Sequence, residues 1–182
     1  MLQRDLQQAL HARTLALSDR LAGLTRPLDP DELVRRPPDG GWSVGQVLEH
    51  LCVTAELYES PIRTLLQGAR PDAAAPARPW KPTLIGRFAV YMLERPARLP
   101  TPKRIAPAAS PRGGLVESLL AHQHTLARLM DDETGFDWRT LRMTSPVAPL
   151  PLKFNLGDVF FLLVVHAERH GRQIERVVAT MR

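Results

Sequence analysis

Leucines recur through the first two dozen residues at spacings of three, four and seven: Leu2, Leu6, Leu10, Leu17, Leu21 and Leu24. That period places them on one face of a helix running from about Leu2 to Leu24, and Arg26-Pro27 with Asp29-Pro30 predicts its stop. A second helical pattern begins at Ser43, where Ser43 and Gln46 have the spacing of a capping box. Its apolar stripe is Val44, Val47, Leu48, Leu51, Ala55, Tyr58 and Ile62, with Pro61 placed to kink or end it.

The pattern then breaks. Between Gly68 and Ser110, prolines stand at positions 71, 76, 79, 82, 96, 100, 102 and 107, with Pro61 just before them. Each removes a backbone donor and clashes with the preceding turn, so one long helix is impossible here. Only a short helical piece, Leu84 to Leu93, is expected inside the segment. A connection of this length is usually functional or disordered. We expect it to cover the mouth of a cavity, with Arg78 and Trp80 in reach of a ligand.

A third helix is predicted from Ser110, with Pro111 in its first turn, where a missing N–H costs nothing. Leu115, Leu119, His122, Leu126 and Leu129 form its inner stripe, and Asp131, Asp132 and Gly135 end it. A fourth starts at Asn155 with Asp158 near the positive end of its dipole. Leu156, Val159, Phe160, Leu163, Ala167, Ile174, Val177 and Met181 mark its buried face. The expected fold is all-α: one domain over residues 1–182, a four-helix bundle with a long proline-rich crossover between helices 2 and 3.

Composition narrows the function. With 182 residues, 44% hydrophobic and 24% charged, the chain can bury a core without cross-links. A single cysteine, Cys52, excludes a disulfide framework and any zinc site built on paired cysteines. The net charge of +5 invites a nucleic-acid partner, but the 21 arginines and 3 lysines are scattered and form no block of like charge. Nucleic acid is therefore the weakest reading. No apolar run approaches the roughly 20 residues of a membrane span, so a cytoplasmic protein without a membrane partner is expected.

The chemistry lies in the histidines. His166 and His170 stand four apart in the last helix, on the stripe of Leu163 and Ile174, while Glu168, Arg169 and Arg172 take the outer face. Two imidazoles at that spacing share a face and can converge on one divalent ion. They can also be core histidines bonded to side chains or water. Glu168 follows His166 by two residues, about 200° round the helix, which excludes the zinc-protease arrangement. No carboxylate on the same turn completes a two-histidine-one-carboxylate face. His50 lies on the second helix beneath Trp42 and would meet the pair if the second and fourth helices pack together; otherwise it is an interface histidine. Gln173 is placed to orient a ligand, His122 to serve as a fourth ligand or a core residue, and Tyr58 to donate to a substrate or fill the core. His11 and His124 read as solvated, and Cys52 as packing.

The segments GWSVGQVLEHL (41–51) and NLGDVFFLLVVHAERHGRQIERV (155–177) resemble the two signature regions of the DinB/YfiT-like metalloenzyme family. The matching residues are Trp42-Ser43, His50-Leu51, His166, His170 and Gln173. The resemblance implies a four-helix bundle whose three histidines, His50, His166 and His170, hold a divalent metal ion: zinc, nickel or iron. It also implies a small-molecule substrate, with a transferase reaction using a low-molecular-weight thiol such as mycothiol or bacillithiol. A metal-dependent hydrolase and a non-catalytic metal-binding scaffold are the alternatives. A homodimer is a further expectation.

Overall fold

The computed structural model describes residues 1–95, 100–131, 135–148 and 150–181. The chain is predominantly helical, with six helices and one small two-stranded sheet among the described residues. Pro96 and Asp132, both part of the sequence-based expectation, lie outside them.

The first helix, α1 (Gln3–Thr25), buries Leu6, Leu10, Leu17 and Leu21, as its leucine period requires. The link that follows holds a short helix, α2 (Pro30–Val34). Asp29-Pro30, read as a stop signal, is also a start signal. The Asp29 side chain accepts from Glu32 N at 2.8 Å, and Pro30 sits in the first turn, where it needs no donor.

Helix α3 (Val44–Gln67) is capped as its sequence indicates, with Gln46 N donating to Ser43 Oγ and Ser43 N to Gln46 Oε1, both at 3.2 Å. Pro61 does not end it. Ile62 and Leu66, on the far side of the proline, are buried in the core, and their packing holds the last turns in place.

Between α3 and the next long helix the chain forms α4 (Leu84–Glu94), as predicted, and two 3₁₀ turns, Ala75–Ala77 and Lys103–Ile105. Ala75, Trp80 and Ile105 are buried, so much of this segment is packed rather than loose. Helix α4 leaves Leu84, Phe88 and Tyr91 exposed on its outer side.

Helix α5 (Leu115–Met130) starts later than Ser110. The buried carboxylate of Glu49 on α3 accepts from Ala108 N at 2.7 Å and Arg112 N at 3.3 Å, which holds the Ser110-Pro111 stretch against α3 as an irregular segment. Gly114, at φ +70°, supplies the left-handed turn that releases the chain into α5.

The all-α expectation broadly fits, with the addition of a small antiparallel hairpin of β1 (Arg142–Thr144) and β2 (Lys153–Asn155), in which Met143 opposes Phe154. Both of these side chains are buried in the core. Asn155 ends the hairpin and caps α6 (Leu156–Ala179), accepting from Asp158 N at 2.7 Å.

Helix α1 packs against α5 and α6, and α3 packs against the same two; α4 lies along α6. Two glycines let the α4 segment approach α6. A Cβ at Gly157 would stand 2.2 Å from the Trp80 indole nitrogen, and one at Gly86 2.3 Å from the Asp158 carboxyl carbon. The Asp158 carboxylate in turn accepts from Thr83 Oγ1 at 2.7 Å, fixing the start of α4.

A methyl at position 157 has no room beside a flat indole. We expect Gly157→Ala to cost about 1–3 kcal/mol, the usual cost of overpacking, measured by urea unfolding. Unchanged stability would show that Trp80 does not lie against α6.

Candidate metal centre

The seam between α3 and α6 brings three histidines together. The Ser43 cap fixes where α3 begins and so places His50 two turns in, on the face toward α6. His166 and His170 project from one face of α6, one turn apart. His50 Nε2 stands 3.0 Å from His166 Nε2, and one ring nitrogen from each of the three residues lies within 4.8 Å of the others. The His50 ring centroid is 5.0 Å from that of His166 and 4.6 Å from that of His170. Trp42, just ahead of the Ser43 cap, stacks on His170 with centroids 6.2 Å apart and planes 17° apart.

Hydrogen bonds decide which nitrogens are free. His50 Nδ1 lies 2.6 Å from the carbonyl oxygen of Ile105. A carbonyl only accepts, so Nδ1 carries the proton and Nε2 presents a lone pair to the centre. His170 Nδ1 lies 2.9 Å from Gln173 Oε1, which gives His170 the same polarity. His166 turns its Nε2 inward.

All three rings are held neutral. Burial lowers the pKa of His50, which is 2% exposed, against the opposing effect of the Ile105 bond. Burial lowers His170 to about 3, helped by the nearby His50 and opposed by the Gln173 bond. His166 lies well below the ordinary imidazole value through burial first, then the proximity of His170, His50 and Arg169. His166 and His170 each keep part of their surface open, so the centre is reachable.

Such a donor set suits a divalent ion. A tetrahedral ion with nitrogen ligands at about 2.0–2.1 Å sets their separations at roughly 3.3–3.4 Å; here the His50–His166 separation is 3.0 Å and all three lie within 4.8 Å. Among the described residues, no cysteine or carboxylate joins the three histidines. Three neutral ligands leave an ion its full charge and an open position, the arrangement of catalytic rather than closed structural sites.

The other candidates lie elsewhere. Gln173 is the outer partner of His170. His122 does not join the trio; its Nδ1 is 2.6 Å from Glu59 Oε1. The Tyr58 hydroxyl is bonded to Ser145 Oγ at 2.8 Å within the core. Arg78 pairs with Asp72 and Asp137, while Trp80 packs against Phe161, so neither serves the centre. Glu168 forms a two-bond pair with Arg13, both bonds 2.8 Å. His124 is exposed, whereas His11 is half-buried. The Ile105 carbonyl is the contributor that sequence reasoning missed. Any residue type supplies a carbonyl, so no side-chain signal announces it.

These observations define a helical protein with a three-histidine centre on the α3–α6 seam. The family model described as the DinB superfamily matches residues 13–174, a stretch that contains all three histidines. The chain belongs to the DinB superfamily. No curated protein and no solved structure matches it.

Two outcomes follow. Between the depressed folded pKa values and about 6.5, the unfolded chain binds more protons than the metal-free folded chain, so stability rises with pH in that window. Lowering the pH below 6.5 will therefore destabilise the metal-free protein, by up to about 1.4 kcal/mol per pH unit for each histidine. His170→Gln will flatten that slope in urea titrations; an unchanged slope would show that His170 titrates normally. Secondly, burial pushes the Cys52 thiol up to about 11. Native protein will react with a disulfide reagent at pH 8 far more slowly than urea-unfolded protein, read by absorbance.

Proposed function

We propose that the four long helices form a single four-helix bundle with the segment between α3 and α5 as its crossover. In this reading His50, His166 and His170 hold one divalent ion for a metal-dependent enzyme. The reaction we assign is transfer to a low-molecular-weight thiol. The observation that carries the reading is the convergence of three neutral imidazoles within 4.8 Å. Two of them are locked by outer hydrogen bonds into the tautomer that offers Nε2.

In an S-transfer, the thiol sulfur forms a bond to an electrophilic carbon, the leaving group departs with its electron pair, and the thiol proton passes to solvent. A bound divalent ion supplies the charge that makes a thiol give up its proton at neutral pH. The chain's own residues prepare the site for that chemistry. Ile105 and Gln173 fix two rings before any ligand arrives, so no reorganisation is needed at binding. Trp42 shields the His170 face from water. Around the centre, Arg169 and Arg176 both act on His170 as positive neighbours. That field favours an anionic ligand, such as a thiolate or a carboxylate-bearing substrate.

Natively purified protein should carry about one divalent ion per chain by elemental analysis. His166→Ala with His170→Ala should abolish it, while circular dichroism reports that the helices persist. Cobalt-substituted protein should develop a sulfur-to-cobalt charge-transfer band on addition of a small thiol. An ion without that band would overturn the thiol assignment and favour a hydrolase or a non-catalytic metal protein. Absence of any bound ion after reconstitution would overturn the metal centre itself.

A further inference from the structure

The charged residues of α6 are sorted by side. At about 100° per residue, Glu168 and Glu175 stand about 180–200° round the helix from His166. Both are consumed there by α1, Glu168 pairing with Arg13 and Glu175 with Arg20. Arg169 and Arg176 stand only about 60–80° from His166, with Gln173 between them and closer still. The three follow one another at i, i+4 and i+7, so they form a ridge along the edge of the histidine pair.

That ridge carries donors and positive charge only. Gln173 Oε1 accepts from His170 Nδ1, so what Gln173 has left to offer a ligand is its two N–H donors. A guanidinium has no acceptor at all. Arg169 Nη1 donates to the carbonyl oxygens of Leu93 and Arg95, which orient the group and bring no negative charge. Arg176 is exposed and forms no ion pair with a described residue. Every charged neighbour acting on the three histidines is another histidine or an arginine; no acid is among them. A divalent ion on three neutral imidazoles would add two more positive charges to this field. An anionic donor at the open position offsets one of them, and a second anionic group has its place on the ridge.

We infer that the ridge is an anion subsite, and that the thiol of the proposed reaction carries a carboxylate which docks on Arg176 and Gln173 while its sulfur lies at the centre. Gln173 and Arg176 follow His170 by three and six residues, about 4.5 and 9 Å along the helix axis. The carboxylate stands at that range from the sulfur, which suits a thiol joined to its acid through a peptide-sized linker. The planar guanidinium of Arg176 meets a carboxylate with two parallel bonds. Gln173 then acts on both sides: its oxygen orients His170 and its nitrogen receives the ligand. Arg176 sets specificity and takes no part in the bond making. The nature of the ligand rests on the thiol reading above, whereas the ridge is a property of the metal-free chain.

The test uses the full chain with cobalt at the centre, and mercaptoacetylglycine with its neutral amide as paired probes. Titration of the sulfur-to-cobalt band should show the acid binding at least roughly tenfold tighter than the amide, the increment of a hydrogen bond to a charged group. Arg176→Gln should remove most of that preference and Arg176→Lys should retain part of it. Arg172→Gln, about 120° round the helix from His166, should leave it intact. Equal binding of acid and amide by the wild type, with the band present, would overturn the subsite and leave the thiol reading standing. A preference that survives in Arg176→Gln would overturn it as well. If neither probe gives a band, the thiol reading falls and the metal-free protein decides the subsite. Acetate should then shift the side-chain N–H resonance of Arg176 in nitrogen-15 spectra, and no shift would overturn the inference. A shift with inorganic phosphate but none with acetate would overturn the carboxylate and assign the ridge to phosphate.

Discussion

Three imidazoles packed ring against ring can share a fold only while they stay uncharged. Each proton added to one raises the cost of the next, because the seam between α3 and α6 keeps the rings within 5.0 Å of each other and excludes much of the water that would screen them. Neutrality has a second consequence. A neutral ring has one donor and one lone pair, so every ring needs a partner on each side. The neighbourhood of the centre is organised around that requirement. A carbonyl from the α3–α5 connection and a glutamine one turn along α6 take the outer nitrogens of His50 and His170, and His166 turns its Nε2 to that of His50.

The apolar periods were sufficient to find α1, α3 and α6, because each buries a stripe at helical spacing. His50 was legible for the same reason: it belongs to the face of α3 that packs toward α6. The elements that escaped are those whose signals are short or ambiguous. Asp29-Pro30 serves equally to close α1 and to open α2. The three-residue strands are too brief for a period of two to show, although Met143 and Phe154 anchor them in the core. The start of α5 was misplaced because Ser110-Pro111 is a sound local signal. The Glu49 carboxylate, some sixty residues earlier, takes the backbone amides on either side of it. Local propensity lost to a buried charge-assisted hydrogen bond, the kind of tertiary contact that sequence spacing does not reveal.

Several of the arginines have a structural role. Arginines join helices distant in sequence: Arg13 to Glu168 and Arg20 to Glu175 across α1 and α6, Arg26 to Glu117 between α1 and α5, and Arg112 to Glu56 beside α3. Exposed pairs of this kind each contribute about 0–1 kcal/mol, so their role is in choosing helix neighbours more than in holding them. The flat guanidinium suits that role, since it meets a carboxylate with two parallel bonds, as Arg13 does with Glu168.

The Ile105 carbonyl gives the centre an unusual vulnerability. A main-chain oxygen cannot be deleted by substitution, so exchanging the residue at 105 for another of similar bulk leaves the bond to His50 intact. Adding or removing a residue upstream would slide a different peptide unit past the ring. For this chain, the length of the stretch before residue 105 is a stricter constraint on the histidine centre than its spelling, and lineages that vary that length will need a new acceptor for His50.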